Sequence, residues 1–173
     1  MDAGRFIRIH ILPGGVMPER KSSGAIGYDV CLRAIVSSGE MDPQNPYLRK
    51  TLFDFQNLPT DPEILKHITR VANGDGSEEL VYRMEPGESV LGGIGFVTEM
   101  PFPVFYWVAP RSGLATKSGI TVTNAPGMVD PDYRGEAGVL VLYFTNSINL
   151  AEIIFRRFEA RGAMCAGRHM RDE

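Results

Sequence analysis

Cysteine and histidine are both scarce in this chain. The two cysteines, Cys31 and Cys165, lie far apart and in no CxxC arrangement, and the three histidines, His10, His67 and His169, are scattered. Neither a disulfide framework nor a zinc site is therefore expected, because both need closely spaced ligands or paired cysteines. This cysteine usage fits a reducing compartment and predicts a cytoplasmic protein.

Excess positive charge and long apolar segments are also missing. The formal net charge is −3 and the isoelectric point is about 5.7, whereas proteins that coat nucleic acid carry clustered cations. The first fifteen residues contain only a short alternating apolar run, so they predict neither a secretory signal nor a transmembrane helix. We therefore expect neither a nucleic-acid nor a membrane partner.

What the sequence does contain is a series of short β-prone runs separated by Gly and Pro turns. Residues 5–12 alternate apolar and polar side chains and end at Pro13-Gly14-Gly15, and residues 24–36 form a second β-prone run. From Leu80 onward, further runs follow the same pattern. The pattern predicts one all-β domain over residues 1–173, because 173 residues suit a single core.

Residues 37–79 differ from the rest in composition. They contain four prolines and the sequence GDGSEE, which favours an insertion within the domain. A short helix is predicted from Asp61 to Val71, with Thr60 or Asp61 as its N-cap. We expect this helix to be the main one in the protein.

Polar side chains cluster just after two predicted strands. Arg111 and Ser112 follow the run 104–108, while Asn124, Asp130 and Tyr133 follow the β-branched run 119–123. A guanidinium, a hydroxyl, an amide and carboxylates are what a phosphate-handling hydrolase needs. The sequence therefore predicts that the two strand ends meet at one site.

Three segments resemble motifs of the trimeric dUTP diphosphatases (dUTPases), a family that shares its fold with the dCTP deaminases. They are AIGYDV at 25–30, PRSGLA at 110–115 and NAPGMVDPDYRG at 124–135. The third is the most specific, since two acids, an aromatic and glycines stand at fixed spacings. The resemblance implies a dUTPase-like β-barrel or jelly-roll (β-clip), assembled as a homotrimer with its sites between subunits.

The resemblance also implies an activity, the hydrolysis of dUTP to dUMP and pyrophosphate. Asp130 is the candidate catalytic base, placed beside the attacking water; the competing interpretation of Asp130-Pro131-Asp132 is a simple turn. Mg²⁺ is the expected cofactor, because a triphosphate favours a hard cation that keeps most of its waters. No direct protein ligand to the metal is implied.

The substrate contacts implied by the resemblance fall in the second and third motifs. Tyr133 would pack on the deoxyribose and leave no room for a 2′-hydroxyl, unless it is a core tyrosine. Asn124, or its adjoining backbone, would read the uracil edge, unless it is a turn residue. Ser112 and Gly113 would approach phosphate, and Arg111 would bind phosphate or clamp a carboxylate. The full set of candidate substrate-binding residues is Arg111, Ser112, Gly113, Asn124, Gly127, Val129, Asp132 and Tyr133.

Two further expectations concern the edges of the motif set. Asp29 is predicted to support the water shell of the metal or to form an ion pair. The fourth family motif is altered. Its best match, residues 149–155, has Glu152 where the family has glutamine, and a second possible match is residues 161–167. A Gly-rich fifth motif is not visible in the sequence. These departures predict that hydrolysis is weaker than dUTP recognition.

Two alternatives use the same fold. Deamination of dCTP needs a proton-shuttling glutamate on the strand after the third motif, but 138–144 contains no acid and Glu136 comes too early. A non-catalytic or regulatory dUTP-binding protein would fit the altered fourth motif, although such a binder has no need of Asp130.

Overall fold

Antiparallel β-strands make up most of the regular structure in residues 6–144, 153–155 and 161–168, the parts of the chain that the computed structural model describes. The predicted all-β class is confirmed. The strands are β1 (Arg8–Ile11), β2 (Tyr28–Cys31), β3 (Ala34–Asp42), β4 (Asn45–Phe53), β5 (Ile68–Ala72), β6 (Glu78–Met84), β7 (Ser89–Gly93), β8 (Phe96–Glu99), β9 (Val104–Pro110), β10 (Ile120–Val122), β11 (Gly127–Val129), β12 (Gly138–Tyr143), β13 (Ile153–Phe155) and β14 (Arg161–Arg168).

The strands form four sheets around one hydrophobic core. A five-stranded sheet has the order β10-β12-β7-β3-β4, and a four-stranded sheet has the order β11-β9-β14-β2. A three-stranded sheet, β13-β6-β5, and the pair β1-β8 complete the set. Val81, Ile94 and Phe96, at the centre of the core, have no exposed surface.

Residues 37–79, predicted to be an insertion, supply strands and core side chains. They hold most of β3 and all of β4 and β5, and Phe53 and Phe55 from this segment are buried in the core. Strand β4, which lies wholly within the segment, pairs with β3 of the five-stranded sheet. In the folded chain the segment is therefore part of the domain core rather than an appendage.

The helix predicted from Asp61 to Val71 is shorter than expected, and it is not the longer of the two helices in the described residues. Helix α1 (Pro62–Leu65) has only four residues, and Asp61 is its N-cap, accepting a hydrogen bond from the Glu63 amide at 2.9 Å. The β-branched residues after it instead form β5, because pairing with β6 outweighs a weak helical preference. The longer helix is α2 (Ser112–Ser118), which ends at Gly119 in the left-handed region (φ 61°).

The helices also bear on membrane association. Among the described residues, no helix is long and apolar enough to span a bilayer.

Tyr106 of β9 gives the core a pH dependence. Burial raises the pKa of its phenol to about 12, whereas an unfolded tyrosine titrates near 10, as an order-of-magnitude reference. The folded state therefore favours the neutral phenol, and the resulting stability is present below the unfolded pKa and is lost as the pH rises through the folded one. We expect Tyr106→Phe to flatten the decline of the unfolding free energy in this window. The free energy of unfolding is measured by urea titration at each pH. An equally steep decline of this free energy with pH in wild type and variant would contradict the expectation.

Candidate functional site

A cleft of about 190 Å³ opens beside the third motif. Five of the residues predicted to bind or process substrate contribute to its wall. Other residues, such as Val108 of β9 and Ala137, also line the cleft. The predicted residues in the wall are Asn124, Gly127, Val129, Asp130 and Tyr133.

The β9–β11 pairing builds this wall. Gly127 lies opposite Val108 and Val129 lies opposite Tyr106 in the antiparallel register. Because side chains alternate along a strand, Val129 points into the core while Met128 is exposed. The chain leaves β11 at Asp130, so its carboxylate stands at the end of the strand beside the cleft.

The Asp130 carboxylate is open to solvent and to the cleft. Its backbone carbonyl accepts the Tyr133 amide at 3.1 Å, which closes the turn that carries Pro131 and Asp132. Asp130 is an exposed residue of the cleft wall, and no hydrogen bond joins its carboxylate to another described residue. An uncommitted carboxylate at the cleft wall is free to accept a proton from a bound water.

Tyr133 projects at the edge of the cleft, with 39% of its surface exposed. Its hydroxyl donates to the backbone carbonyl of Glu136 at 3.1 Å. The ring lies directly over Gly135, where a Cβ would be 2.9 Å from the phenolic oxygen. Only glycine at this position lets the ring lie where it does.

Asn124 lies in the turn between β10 and β11 rather than on a strand. Its Nδ2 donates to the Gly138 carbonyl at 2.9 Å, and its Oδ1 accepts the Leu140 amide at 2.9 Å. Both ends of the amide are therefore engaged with β12, and the side chain holds the turn against the sheet. The adjoining backbone, including Gly127, remains at the cleft wall.

The second motif forms the first turn of α2. Arg111 is the N-cap residue, and Ser112 and Gly113 are exposed at the start of the helix. Within the described residues of one chain, these three and Asp132 do not line the cleft. The structure thus brings together the third-motif residues but leaves the second motif apart from them.

Asp29 and Arg111 join the first two motifs. The Arg111 guanidinium donates to Asp29 Oδ2 at 2.7 Å, and the Asp29 side chain is only 13% exposed. This geometry corresponds to the ion-pair alternative for Asp29 and to the clamp alternative for Arg111. It fixes the start of α2 against β2.

A buried ion pair next to the third motif was missed in the sequence. Arg33 donates to both oxygens of Glu136 at 2.7 Å, and the Glu136 side chain has no exposed surface. The amides of Gly95 and Arg49 donate to the same carboxylate at 2.9 and 3.1 Å. The available signal was a single arginine, Arg33, inside the apolar run 30–36, and a single acid, Glu136, directly before the apolar run 137–144.

The hydrogen bonds that the Glu136 carboxylate accepts bear on whether this protein could deaminate dCTP. A carboxylate that accepts four hydrogen bonds and touches no solvent cannot exchange protons with a substrate in the cleft. The described strand β12 that follows it carries no acid. The structure therefore offers no proton-shuttling glutamate at the position that deamination requires.

The fourth-motif candidate Glu152 lies outside the described residues. The alternative match at 161–167 falls on β14, whose backbone pairs with β9 and β2. Among the described residues, no cluster of three or more His, Cys, Asp or Glu side chains is arranged to hold a metal ion.

Residues 82–154 match the family model described as dUTPase. A deoxyuridine 5'-triphosphate nucleotidohydrolase from Methylocella silvestris is 52% identical over 61 residues, covering 35% of this chain and 38% of that protein. Its counterpart from Aquifex aeolicus is 43% identical over 77 residues, covering 44% and 49%. The resemblance to the dUTPase family is confirmed. The matches span less than half the length of these curated relatives.

Solved structures show the same fold. The dUTPase of Streptococcus mutans superposes with a TM-score of 0.56 at 14% identity, covering 95% of this chain and 98% of that one. A mutant dUTPase from phage phi11 of S. aureus gives a TM-score of 0.59 at 12% identity, covering 97% and 94%. The all-β, dUTPase-like fold thus extends over nearly the whole chain, including the segment before residue 82.

Proposed function

We propose that this protein hydrolyses dUTP to dUMP and pyrophosphate. The observation that carries the proposal is the cleft in which Asp130, Tyr133 and the segment 124–129 meet. These residues lie inside the segment that matches the dUTPase family model. Such an activity supplies dUMP and removes dUTP from the nucleotide pool, and we place it in the cytoplasm.

Asp130 acts as the general base in this proposal. Its open carboxylate takes a proton from a water molecule while the water oxygen attacks the α-phosphorus of dUTP. The bond from that phosphorus to the bridging oxygen breaks, and pyrophosphate leaves in line. Pyrophosphate leaves with the electron pair of the broken bond, and Asp130 then releases its proton to solvent, which restores the carboxylate.

The cleft wall is proposed to select the nucleoside. The backbone around Asn124, Gly127 and Val129 reads the uracil edge, and the cleft wall there excludes a 5-methyl group. The Tyr133 ring packs on the deoxyribose, where a 2′-hydroxyl would collide with it. The Asn124 side chain supports the turn between β10 and β11 through β12 rather than contacting the base directly.

Mg²⁺ is proposed to arrive with the triphosphate. A triphosphate favours a hard cation that keeps most of its waters, so phosphate oxygens and water rather than a dedicated protein cage would hold it. When bound, the ion neutralises phosphate charge during the displacement. The protein contributes the base, the nucleoside wall and the donors of the second motif.

The phosphate contacts are proposed to come from a second subunit. Ser112 and Gly113, with Asp132, do not line the cleft of their own chain among the described residues. Strand β12 is apolar on both faces, yet Leu140 and Leu142 remain partly exposed in one chain. A homotrimer would cover that face and bring the second motif of one subunit to the cleft of another.

Subunit assembly is directly testable. We expect light scattering at micromolar concentration to give a mass about three times that of the chain. Leu140→Glu should shift the population towards monomer, because it places a charge where an apolar side chain is covered in the trimer. The rate of hydrolysis should fall as the trimer is lost. A fully active monomer would contradict the shared site.

The activity is tested by pyrophosphate release with dUTP, dCTP, dTTP and UTP, each with Mg²⁺. We expect release from dUTP above all others. Ammonia release from dCTP would indicate deamination instead. Tight dUTP binding by calorimetry without pyrophosphate release would identify a non-catalytic binder.

Gly135→Ala should weaken dUTP binding. The added Cβ would lie 2.9 Å from the Tyr133 hydroxyl and 3.1 Å from its Cζ, so the ring must move. We expect the dissociation constant for a non-hydrolysable dUTP analogue to rise about tenfold, roughly 1.4 kcal/mol. Gly24→Ala is the control, because no atom lies within 4 Å of its Cβ position. Equal affinities in the two variants would show that the ring does not contact the ligand.

A further inference from the structure

The Tyr133 hydroxyl shares its acceptor with a residue from a distant strand. The backbone carbonyl of Glu136 accepts Tyr133 Oη at 3.1 Å and Arg49 Nε at 3.2 Å. The Glu136 amide donates to the Tyr47 carbonyl at 2.9 Å. Tyr47 and Arg49 both belong to β4, so this strand holds the Glu136 backbone on both sides of its Cα, and Arg49 contacts the carbonyl to which the tyrosine donates.

Arg49 is itself held in a defined position. Its Nη1 donates to the Ser38 carbonyl on β3 at 3.4 Å. Its backbone amide donates to the Glu136 carboxylate at 3.1 Å, and its carbonyl accepts Arg33 Nη2 at 2.9 Å. The guanidinium thus reaches the Glu136 carbonyl from a fixed backbone, and a charged donor strengthens that hydrogen bond.

This arrangement separates two roles within one network. The Arg33–Glu136 pair and the Arg49 amide fix the buried carboxylate, and neither requires the Arg49 side chain. The Arg49 guanidinium instead acts on the carbonyl that anchors the Tyr133 ring. Replacing the guanidinium therefore removes the hydrogen bond to the carbonyl that anchors Tyr133 and leaves the hydrogen bonds to the buried Glu136 carboxylate in place.

We propose that Arg49 is a positioning residue that fixes the tilt of the Tyr133 ring and thereby sets discrimination between deoxyribose and ribose. This inference rests on the proposed function, because the ring is taken to pack on the sugar. A half-exposed ring held at its hydroxyl has one orientation; without a fixed acceptor it can rotate away and admit a 2′-hydroxyl. The β3–β4 hairpin, which the family-model match does not reach, thus becomes part of the specificity apparatus.

The first experiment measures dissociation constants of non-hydrolysable dUTP and UTP analogues for Arg49→Met, Tyr133→Phe and the double variant. We expect each single variant to lose about tenfold of the dUTP preference. The double variant should lose no more than either single one, because both side chains act through one carbonyl. Additive losses, or an unchanged preference in Arg49→Met, would overturn the proposal. Arg70→Met, which removes an exposed arginine paired with Glu78, is the matched control.

The second experiment works without nucleotide and separates this inference from the proposed function. Fluorine NMR of protein carrying fluorotyrosine at its six tyrosines reports the environment of each ring, and Tyr133→Phe assigns the resonance of interest. We expect that resonance to shift or broaden in Arg49→Met and to stay unchanged in Arg70→Met. An unchanged resonance in Arg49→Met would overturn the positioning role. If the wild-type protein binds neither analogue but the resonance still shifts in Arg49→Met, the proposed function is refuted while the positioning of Tyr133 by Arg49 is retained.

Discussion

Asp130→Asn should abolish measurable dUTP hydrolysis while leaving dUTP binding largely intact. The amide keeps the shape of the side chain at the end of β11 but cannot accept a proton from water. Loss of a general base costs about a hundredfold to ten-thousandfold in rate. Asp130 is an exposed residue, and the substitution breaks no side-chain hydrogen bond among the residues that the structure describes.

Steady-state pyrophosphate release and calorimetry with a non-hydrolysable dUTP analogue measure the two effects separately. The matched control is Asp75→Asn, in the exposed turn 73–77, where asparagine can form the same side-chain-to-backbone contacts. It should turn over dUTP at the wild-type rate. Wild-type turnover in Asp130→Asn would instead make Asp130 a turn residue and remove the base from the mechanism.

Glu136→Gln should cost the largest amount of stability of any conservative change in this chain. The substitution leaves the Arg33 guanidinium buried without its counter-charge and turns an NH₂ group towards donors that the carboxylate accepted. Breaking a buried pair by removing one partner costs about 3–5 kcal/mol. We therefore expect the free energy of unfolding from urea titration to fall by about this amount.

The control for this loss uses the same chemical change at an exposed pair. Glu99→Gln breaks a 3.0 Å contact with Arg8 in which both side chains are more than half exposed, and such pairs contribute about 0–1 kcal/mol. The double variant Arg33→Met, Glu136→Gln should lose less than the sum of its single variants, because each single variant leaves one uncompensated buried charge and the double variant leaves none. Equal losses at Glu136 and Glu99 would show that the buried pair is not a stabilising centre.

Local pattern in the sequence was enough for most of the strands and for the family motifs. Residues 138–144, for example, predict β12 because β-branched and aromatic side chains dominate a short run bounded by glycine. The same reasoning failed at residues 61–71, where a capped start suggested a longer helix. Pairing of 68–72 with β6 decided that segment, and pairing with a distant strand leaves no signal in local composition.

The sequence by itself determined the all-β class, the third motif and the identity of Asp130 and Tyr133 as candidate functional residues. These features depend on short-range spacing, so they can be recognised without the fold. Tertiary structure alone decided that Arg33, Arg49 and Glu136 meet behind the cleft, that Asn124 binds β12, and that the second motif lies apart from the third within one chain. Those relations join residues as many as 103 positions apart, and only the packing of the sheets brings such residues within hydrogen-bonding distance.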